Sequence, residues 1–258
     1  MNTFVLLKQV PDTETKIKIS GDKTNIEKND IKWIINPYDE FAIEEALKIK
    51  EKLKAGAVTV ITAGPDRAVE ALRTAVAMGA DNAIHIKIDT EADSYLVSKA
   101  LAETLKKEQA NLILTGKQAI DDDQAVVFSY VAELLNMPSS SVIVKIDIAA
   151  DNKSIKVERE VEGGTKHVID MPLPAVLGIN KGINTPRYAS LPGIMKAKKK
   201  EIKTYTLNDL GLGSEKSLTV DSDYQLPPER PAGKKITGDA ATMAKELARL
   251  LREEAKVI

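Results

Sequence analysis

Two periodicities alternate along the first half of this chain, and they limit its fold more than any other feature. Compact apolar runs recur at residues 4–7 (FVLL), 57–64 (AVTVITAG), 82–88 (NAIHIKI) and 110–116 (ANLILTG). Between them lie segments with apolar residues at helical spacing. In residues 37–54 these are Phe41, Ile43, Ala46, Leu47 and Ile49; in residues 66–80 they are Val69, Leu72, Val76 and Ala80. Residues 94–108 and 124–136 read as two further helices, the last stopped at Pro138. Alternation of this kind predicts an α/β fold, with parallel strands and helices on both faces. Ligands in such sheets sit beyond the carboxyl ends of strands. Three ends stand out: Lys8-Gln9, Thr62-Ala63-Gly64 and Thr115-Gly116-Lys117. The first helix has a clear start, because Asn36 can cap it, Pro37 suits the first helical position, and Asp39 and Glu40 favour the positive end.

After residue 140 the pattern changes to short alternating runs with turns at Asp151-Asn152 and Gly163-Gly164, which predicts an antiparallel hairpin or meander. Residues 180–235 carry little regular signal and are rich in Pro, Gly and Lys; so long an irregular stretch is often functional. Residues 238–256 close the chain as an amphipathic helix, with Met243, Leu247, Leu250 and Leu251 on one stripe. The predicted units are therefore an α/β domain over 1–183 with its antiparallel extension from about 141, a loop and extended arm over 184–235, and the helix of 236–258. That helix is expected to pack on a partner or on its own core.

Composition removes several function classes. Net charge is −1 over 258 residues, so no global attraction to nucleic acid or anionic lipid is expected. The chain has no cysteine and two histidines, His85 and His167, far apart in sequence; thiol chemistry is absent, and a zinc site is not expected. No run approaches a membrane span, and residues 1–12 read as a first strand and not as a signal peptide, so no membrane insertion is expected. A reducing compartment, cytoplasm or an organelle matrix after import, is expected. The Gly116-Lys117 pair lacks the rest of a phosphate loop, Gly211-Leu212-Gly213 lacks the third glycine of a dinucleotide fingerprint, and no serine has a nucleophile setting.

Two clusters remain. Asp121, Asp122 and Asp123 offer hard oxygen ligands for Mg²⁺, but at a helix start the favoured reading is one capping Asp and two that complement the dipole. Residues 191–200 (LPGIMKAKKK) place Leu191, Pro192, Ile194 and Met195 beside Lys196, Lys198, Lys199 and Lys200. A solvated charge run and a nucleic-acid arm are both open readings, but the second lacks other basic clusters. An exposed docking tip, an apolar anchor ringed by steering charge, explains more of the residues.

Taken together, residues 36–52 (NPYDEFAIEEALKIKEK), 73–81 (RTAVAMGAD), 112–123 (LILTGKQAIDDD), 157–164 (VEREVEGG), 173–176 (LPAV) and above all 184–200 (NTPRYASLPGIMKAKKK) resemble the β, or small, subunit of electron-transfer flavoproteins. The resemblance covers nearly the whole chain. With it, the expected fold is a Rossmann-like, adenine-nucleotide-hydrolase-like parallel sheet with a hairpin extension and a C-terminal arm and helix. It implies a heterodimer whose α subunit holds most of a redox FAD, an electron carrier and not an enzyme. It implies a flavin dehydrogenase of the acyl-CoA dehydrogenase type as donor and a quinone oxidoreductase as acceptor. It implies that Leu191 inserts into the dehydrogenase with the lysines around it. It places Arg159 and Glu160 near the subunit and flavin-domain interface, although a plain charged pair on a hairpin remains open, and it puts Thr13 where some relatives carry an aromatic near the flavin.

The resemblance also implies a structural AMP site formed by Leu6, Asn36, Pro37, Tyr38, Asp39, Ala63 and the stretch from Asp121 onward. AMP-binding relatives continue after the aspartates with polar residues and a glycine. Here Val126 and Val127 replace hydrogen-bonding residues, and Phe128 stands at the glycine. A phosphate buried against them without donors would cost several kcal/mol. The expectation is an inherited architecture whose phosphate half is disabled, with AMP absent; AMP in a shifted pose is the alternative. A second FAD for electron bifurcation is not expected. A free-standing nucleotide-binding protein is the competing reading, but it leaves the 191–200 segment unused.

Overall fold

A computed structural model describes residues 1–88, 92–230 and 232–258. Four elements open the chain: β1 (Thr3–Leu6), β2 (Gln9–Pro11), β3 (Trp33–Ile35) and α1 (Pro37–Leu53). There follow β4 (Val58–Gly64), α2 (Val69–Met78), β5 (Asn82–Lys87), α3 (Ser94–Lys106), β6 (Leu112–Gly116) and α4 (Val127–Leu135). The later part comprises β7 (Ser139–Ile148), β8 (Ser154–Glu160), β9 (Lys166–Pro172), β10 (Ala175–Ile179), α5 (Leu191–Lys199), β11 (Lys203–Thr206) and α6 (Ala240–Glu253).

Nine strands form one sheet in the order β11-β5-β4-β1-β6-β10-β7-β8-β9. It is parallel from β11 to β7, and β8 and β9 extend it as an antiparallel meander. Every residue of β1, β6 and β10 is buried, as continuous apolar central strands require. Alternate residues feed two cores. Val5 and Leu7 join α1, α2 and Ala197 of α5 on one face. Phe4 and Leu6 join α3 and α4 on the other. The chain leaves β1 towards β4 and leaves β6 towards β7 and β10, so the strand order reverses between the carboxyl ends of β1 and β6. That crevice is where such sheets hold ligands.

The fold departs from the sequence expectations in several places. Residues 180–235 are not uniformly irregular: 191–199 form a helix on α2, and 203–206 add an edge strand to β5. Residue 231 of the expected arm lies outside the described residues. The helix expected from 124 begins at Val127, because Ala125 lies in the left-handed region at φ 54°. A small two-stranded antiparallel sheet of β2 and β3, joined by a long connection, has no counterpart among those expectations. Asn36 makes no side-chain cap on α1; its side chain serves the loop after β6 instead. Of the two resting places expected for the last helix, its own core is not one, since α6 buries no residue.

Candidate functional site

The crevice between β1 and β6 is closed by the start of α1. Asp39 is 3% exposed, and its carboxylate accepts from two strand ends: the Lys8 backbone N–H at 2.7 Å and the Gly116 backbone N–H at 2.8 Å. Only glycine permits this approach. A Cβ on Gly116 would lie 2.4 Å from Asp39 Oδ1 and 2.6 Å from Tyr38 Cβ. Asn36 donates to the Gln118 carbonyl at 2.9 Å and accepts from the Ile120 N–H at 3.2 Å, and Lys117 lies over the Tyr38 ring at 5.1 Å. Burial pushes the Asp39 carboxyl up to about 7, against the opposing pull of the Lys8 N–H, the Asn36 amide, the Gly116 N–H and the Lys8 charge.

The three aspartates do not cap α4, contrary to the expectation. Val126 occupies the cap position without a side-chain bond. Lys8 Nζ instead draws the loop across the strand ends, donating to Asp121 at 2.9 Å and Asp122 at 2.8 Å. Partial burial works against the Lys8 charge, but Asp121 and then Asp122 outweigh it and hold its pKa above the ordinary value. Asp123 turns away and accepts from Gln118 at 2.6 Å. Leu6, Ala63, Val127 and Phe128 belong to one apolar cluster with Ile113 and Val131. These four residues, singled out as nucleotide contacts, therefore pack against a single core. His85 is buried and donates to the Gly64 carbonyl at 2.9 Å, a bond that joins β5 to β4.

A second concavity of about 510 Å³ opens beside the ends of β6, β8 and β10, lined by Lys117, Val142, Arg159, Glu160, Asn180 and Lys181. Asn180 Nδ2 donates to Glu160 at 2.9 Å, while its Oδ1 is buried without a partner among the described residues. Val142 sits in the left-handed region at φ 61°, a strained place for a β-branched residue, where β7 shifts register against β10. Arg159 and Glu160 thus share one wall. Thr13, exposed after β2, does not line this concavity.

The third feature is α5. Ser190 caps it by accepting from the Gly193 N–H at 3.1 Å. Gly193 and Ala197 face α2, so Leu191, Ile194 and Met195 point outward, 75%, 40% and 55% exposed. Tyr188, just ahead, is 98% exposed. Sequence reading passed over Tyr188, although a tyrosine three residues before an apolar tip was the available signal. Among the described residues, Lys196, Lys198 and Lys199 make no ion pair, whereas Lys200 reaches Asn82 at 3.2 Å. The approach to α5 is tied down: Arg187 forks onto Glu44 at 2.8 and 2.9 Å and reaches Glu51 at 2.6 Å, and Asn184 donates to Glu45 and to the Phe41 carbonyl.

The electron transfer flavoprotein domain matches residues 24–210, which include α1, the loop after β6 and α5. The chain is 45% identical, over the whole of both chains, to the electron transfer flavoprotein subunit beta of Bacillus subtilis (strain 168). This chain belongs to the electron transfer flavoprotein family. The subunit beta of Dictyostelium discoideum is 41% identical over 92% of this chain and 93% of its own. That of Homo sapiens is 38% identical over 97% and 99%. The family carries a nine-stranded sheet here with all three features on it, and those relatives are named as subunits of an electron carrier. No helix among the described residues is long and apolar enough to cross a membrane.

Proposed function

We propose that this chain is the β subunit of a heterodimeric electron-transfer flavoprotein. Its α subunit holds most of the FAD, a flavin dehydrogenase of the acyl-CoA dehydrogenase type delivers electrons, and a quinone oxidoreductase removes them. The observation that carries this reading is α5, an apolar tip of Leu191, Pro192, Ile194 and Met195 beside Lys196, Lys198 and Lys199, which make no ion pair among the described residues. The tip is an anchor for an apolar pocket, and the lysines steer an acidic surface towards it.

FAD, when bound, supplies the one- and two-electron chemistry; this chain docks, orients and shields. The residues around the second concavity suit a partner's polar face. Asn180 Oδ1 offers a buried acceptor that needs a donor, Glu160 a carboxylate, and Arg159 and Lys117 positive charge. The α6 stripe of Leu250 and Leu251, with the exposed Met243 and Leu247, is an apolar face for the α subunit.

The β1/β6 crevice does not suit AMP. Val127 and Phe128 fill the place of phosphate donors with apolar surface, and Lys8 is committed to Asp121 and Asp122. In this reading the inherited site is closed by its own side chains.

Co-expression with the α subunit tests both parts at once. The expected product is a yellow 1:1 complex whose heat-released nucleotides are FAD without AMP. A colourless chain indifferent to the α subunit overturns the assignment, and stoichiometric AMP overturns the closed-site reading. In the same complex, Leu191→Ala should raise the KM for the dehydrogenase about tenfold with flavin content unchanged. Loss of flavin instead makes α5 a structural element.

A further inference from the structure

The docking reading requires α5 to point in one direction, yet α5 has little means of its own to do so. It has nine residues, below the length at which an isolated helix holds in water. Ser190 caps it and Pro192 suits its first turn, but Gly193 weakens it and Lys196 repels Lys199 within one turn. Ala197 is its one buried residue. At its end the Lys200 N–H is shared between the carbonyls of Lys196 at 3.1 Å and Ala197 at 3.3 Å, so the Ala197 carbonyl is only weakly held from within the helix.

Arg73, half-buried on α2, meets those carbonyls. Its Nη1 donates to the Ala197 carbonyl at 2.5 Å and lies 3.4 Å from the carbonyls of Lys198 and Lys200. One turn further along α2, the Ala77 carbonyl sits where a Cβ on Gly193 would come within 2.2 Å. Arg73 and Ala77 are four residues apart on α2, and Ala197 and Gly193 are four apart on α5. The two rows run in opposite directions and match one to one. The small row sets the distance between helices, and Arg73 sets the rotation and register by its hold on the carbonyl end. A cation there also suits the negative end of the helix dipole.

We propose that Arg73 is a positioning residue for partner recognition. It touches no electron donor itself. It fixes α5 so that Leu191, Ile194 and Met195 face outward and the lysines stand beside them. This rests on the reading of α5 as the docking element.

The test uses the full chain in complex with its α subunit and a purified acyl-CoA dehydrogenase as the electron donor. Arg73→Ala should leave flavin content intact, raise the KM for the dehydrogenase about tenfold and leave kcat near wild type. Amide exchange at residues 197–200 should accelerate while that of the central strands does not. Arg73→Lys should recover part of the KM, since an ammonium retains charge and donors. The double variant should exceed Leu191→Ala by less than the effect of Arg73→Ala alone, because both act through one helix. If Leu191→Ala raises the KM and Arg73→Ala does not, the positioning role is overturned and the docking reading survives. If Leu191→Ala leaves the KM unchanged, the docking reading falls and the proposal falls with it. Should Arg73→Ala fail to fold, Arg73→Lys decides on the same readouts, with about a threefold rise expected and a wild-type KM fatal.

Discussion

The two ends of α1's neighbourhood are built on opposite principles. At the β1/β6 crevice every strong group is answered from within the chain: Asp39 by two strand ends, Lys8 by two aspartates, Asn36 by a loop. At α5 the strong groups face water, and Lys196, Lys198 and Lys199 have no counter-charge among the described residues. A crevice that satisfies its own polar groups has little left for a ligand, whereas α5 presents apolar surface and charge to the solvent. In the proposed reading, the crevice serves as structure and α5 as the contact. α1 joins the two, since its first turn closes the crevice and its Glu44, Glu45 and Glu51 hold the residues that lead into α5.

The largest effect should come from prising the closed end apart. Gly116→Ala drives a methyl into Asp39 Oδ1 and the backbone of Tyr38. It should cost about 3 kcal/mol, read as a lower urea midpoint at unchanged slope. A wild-type midpoint means that the first turn of α1 is not locked to β6. Leu191→Ala provides the contrast, within about 0.5 kcal/mol of wild type, because its side chain is already exposed.

The joint between the two ends comes next. Removing the Arg187 guanidinium strands Glu44, which is 5% exposed. Arg187 itself is partly solvated, so Arg187→Ala should lose roughly 2 kcal/mol, less than a fully buried pair would. The same variant should loosen residues 184–190 in amide exchange and leave the Asp39 bonds intact. Equal loosening at both places contradicts the division into a closed end and an open one.

How far the sequence reveals each end follows from what makes it. The central strands are legible because burial on both faces leaves continuous apolar runs, as in LILTG of β6. The start of α1 is legible because Pro37 at the first helical position is a local signal, whereas the cap expected of Asn36 is not made. The aspartates misled: local rules favour a cap, but Lys8, 113 residues away in sequence, takes two of them. Helix α5 was hidden for a similar reason. The Pro-Gly pair and the clustered like charges of LPGIMKAKKK read as an irregular charged segment, and much of what holds the helix lies on α2. The edge strand β11, KTYT, has no apolar pattern, since it is mostly exposed and held by backbone bonds to β5.

The smallest predicted effect is a pH slope that belongs to the closed end alone. Burial raises Asp39 to about 7 in the folded chain, against an ordinary 3.8 when unfolded. The fold therefore favours the protonated acid. This contribution to stability is complete below about pH 4, declines as pH rises through 7, and changes no further above it. Many exposed carboxyls, Asp12 and Asp66 among them, are held low by lysines and work in the opposite sense. The total pH profile therefore mixes both. The difference between wild type and Asp39→Asn isolates the one group. Asn at 39 cannot answer both N–H donors and should be less stable at every pH. Its deficit should shrink by about 1 kcal/mol between pH 6 and pH 8, because only the wild type loses the Asp39 contribution there. The check is a pair of urea midpoints for each protein at those two values. A deficit that stays constant would mean that Asp39 is ionised throughout, with the two strand-end N–H groups overcoming its burial. The crevice would then hold a permanent negative charge of its own, a stronger bar to a phosphate than the apolar fill of α4.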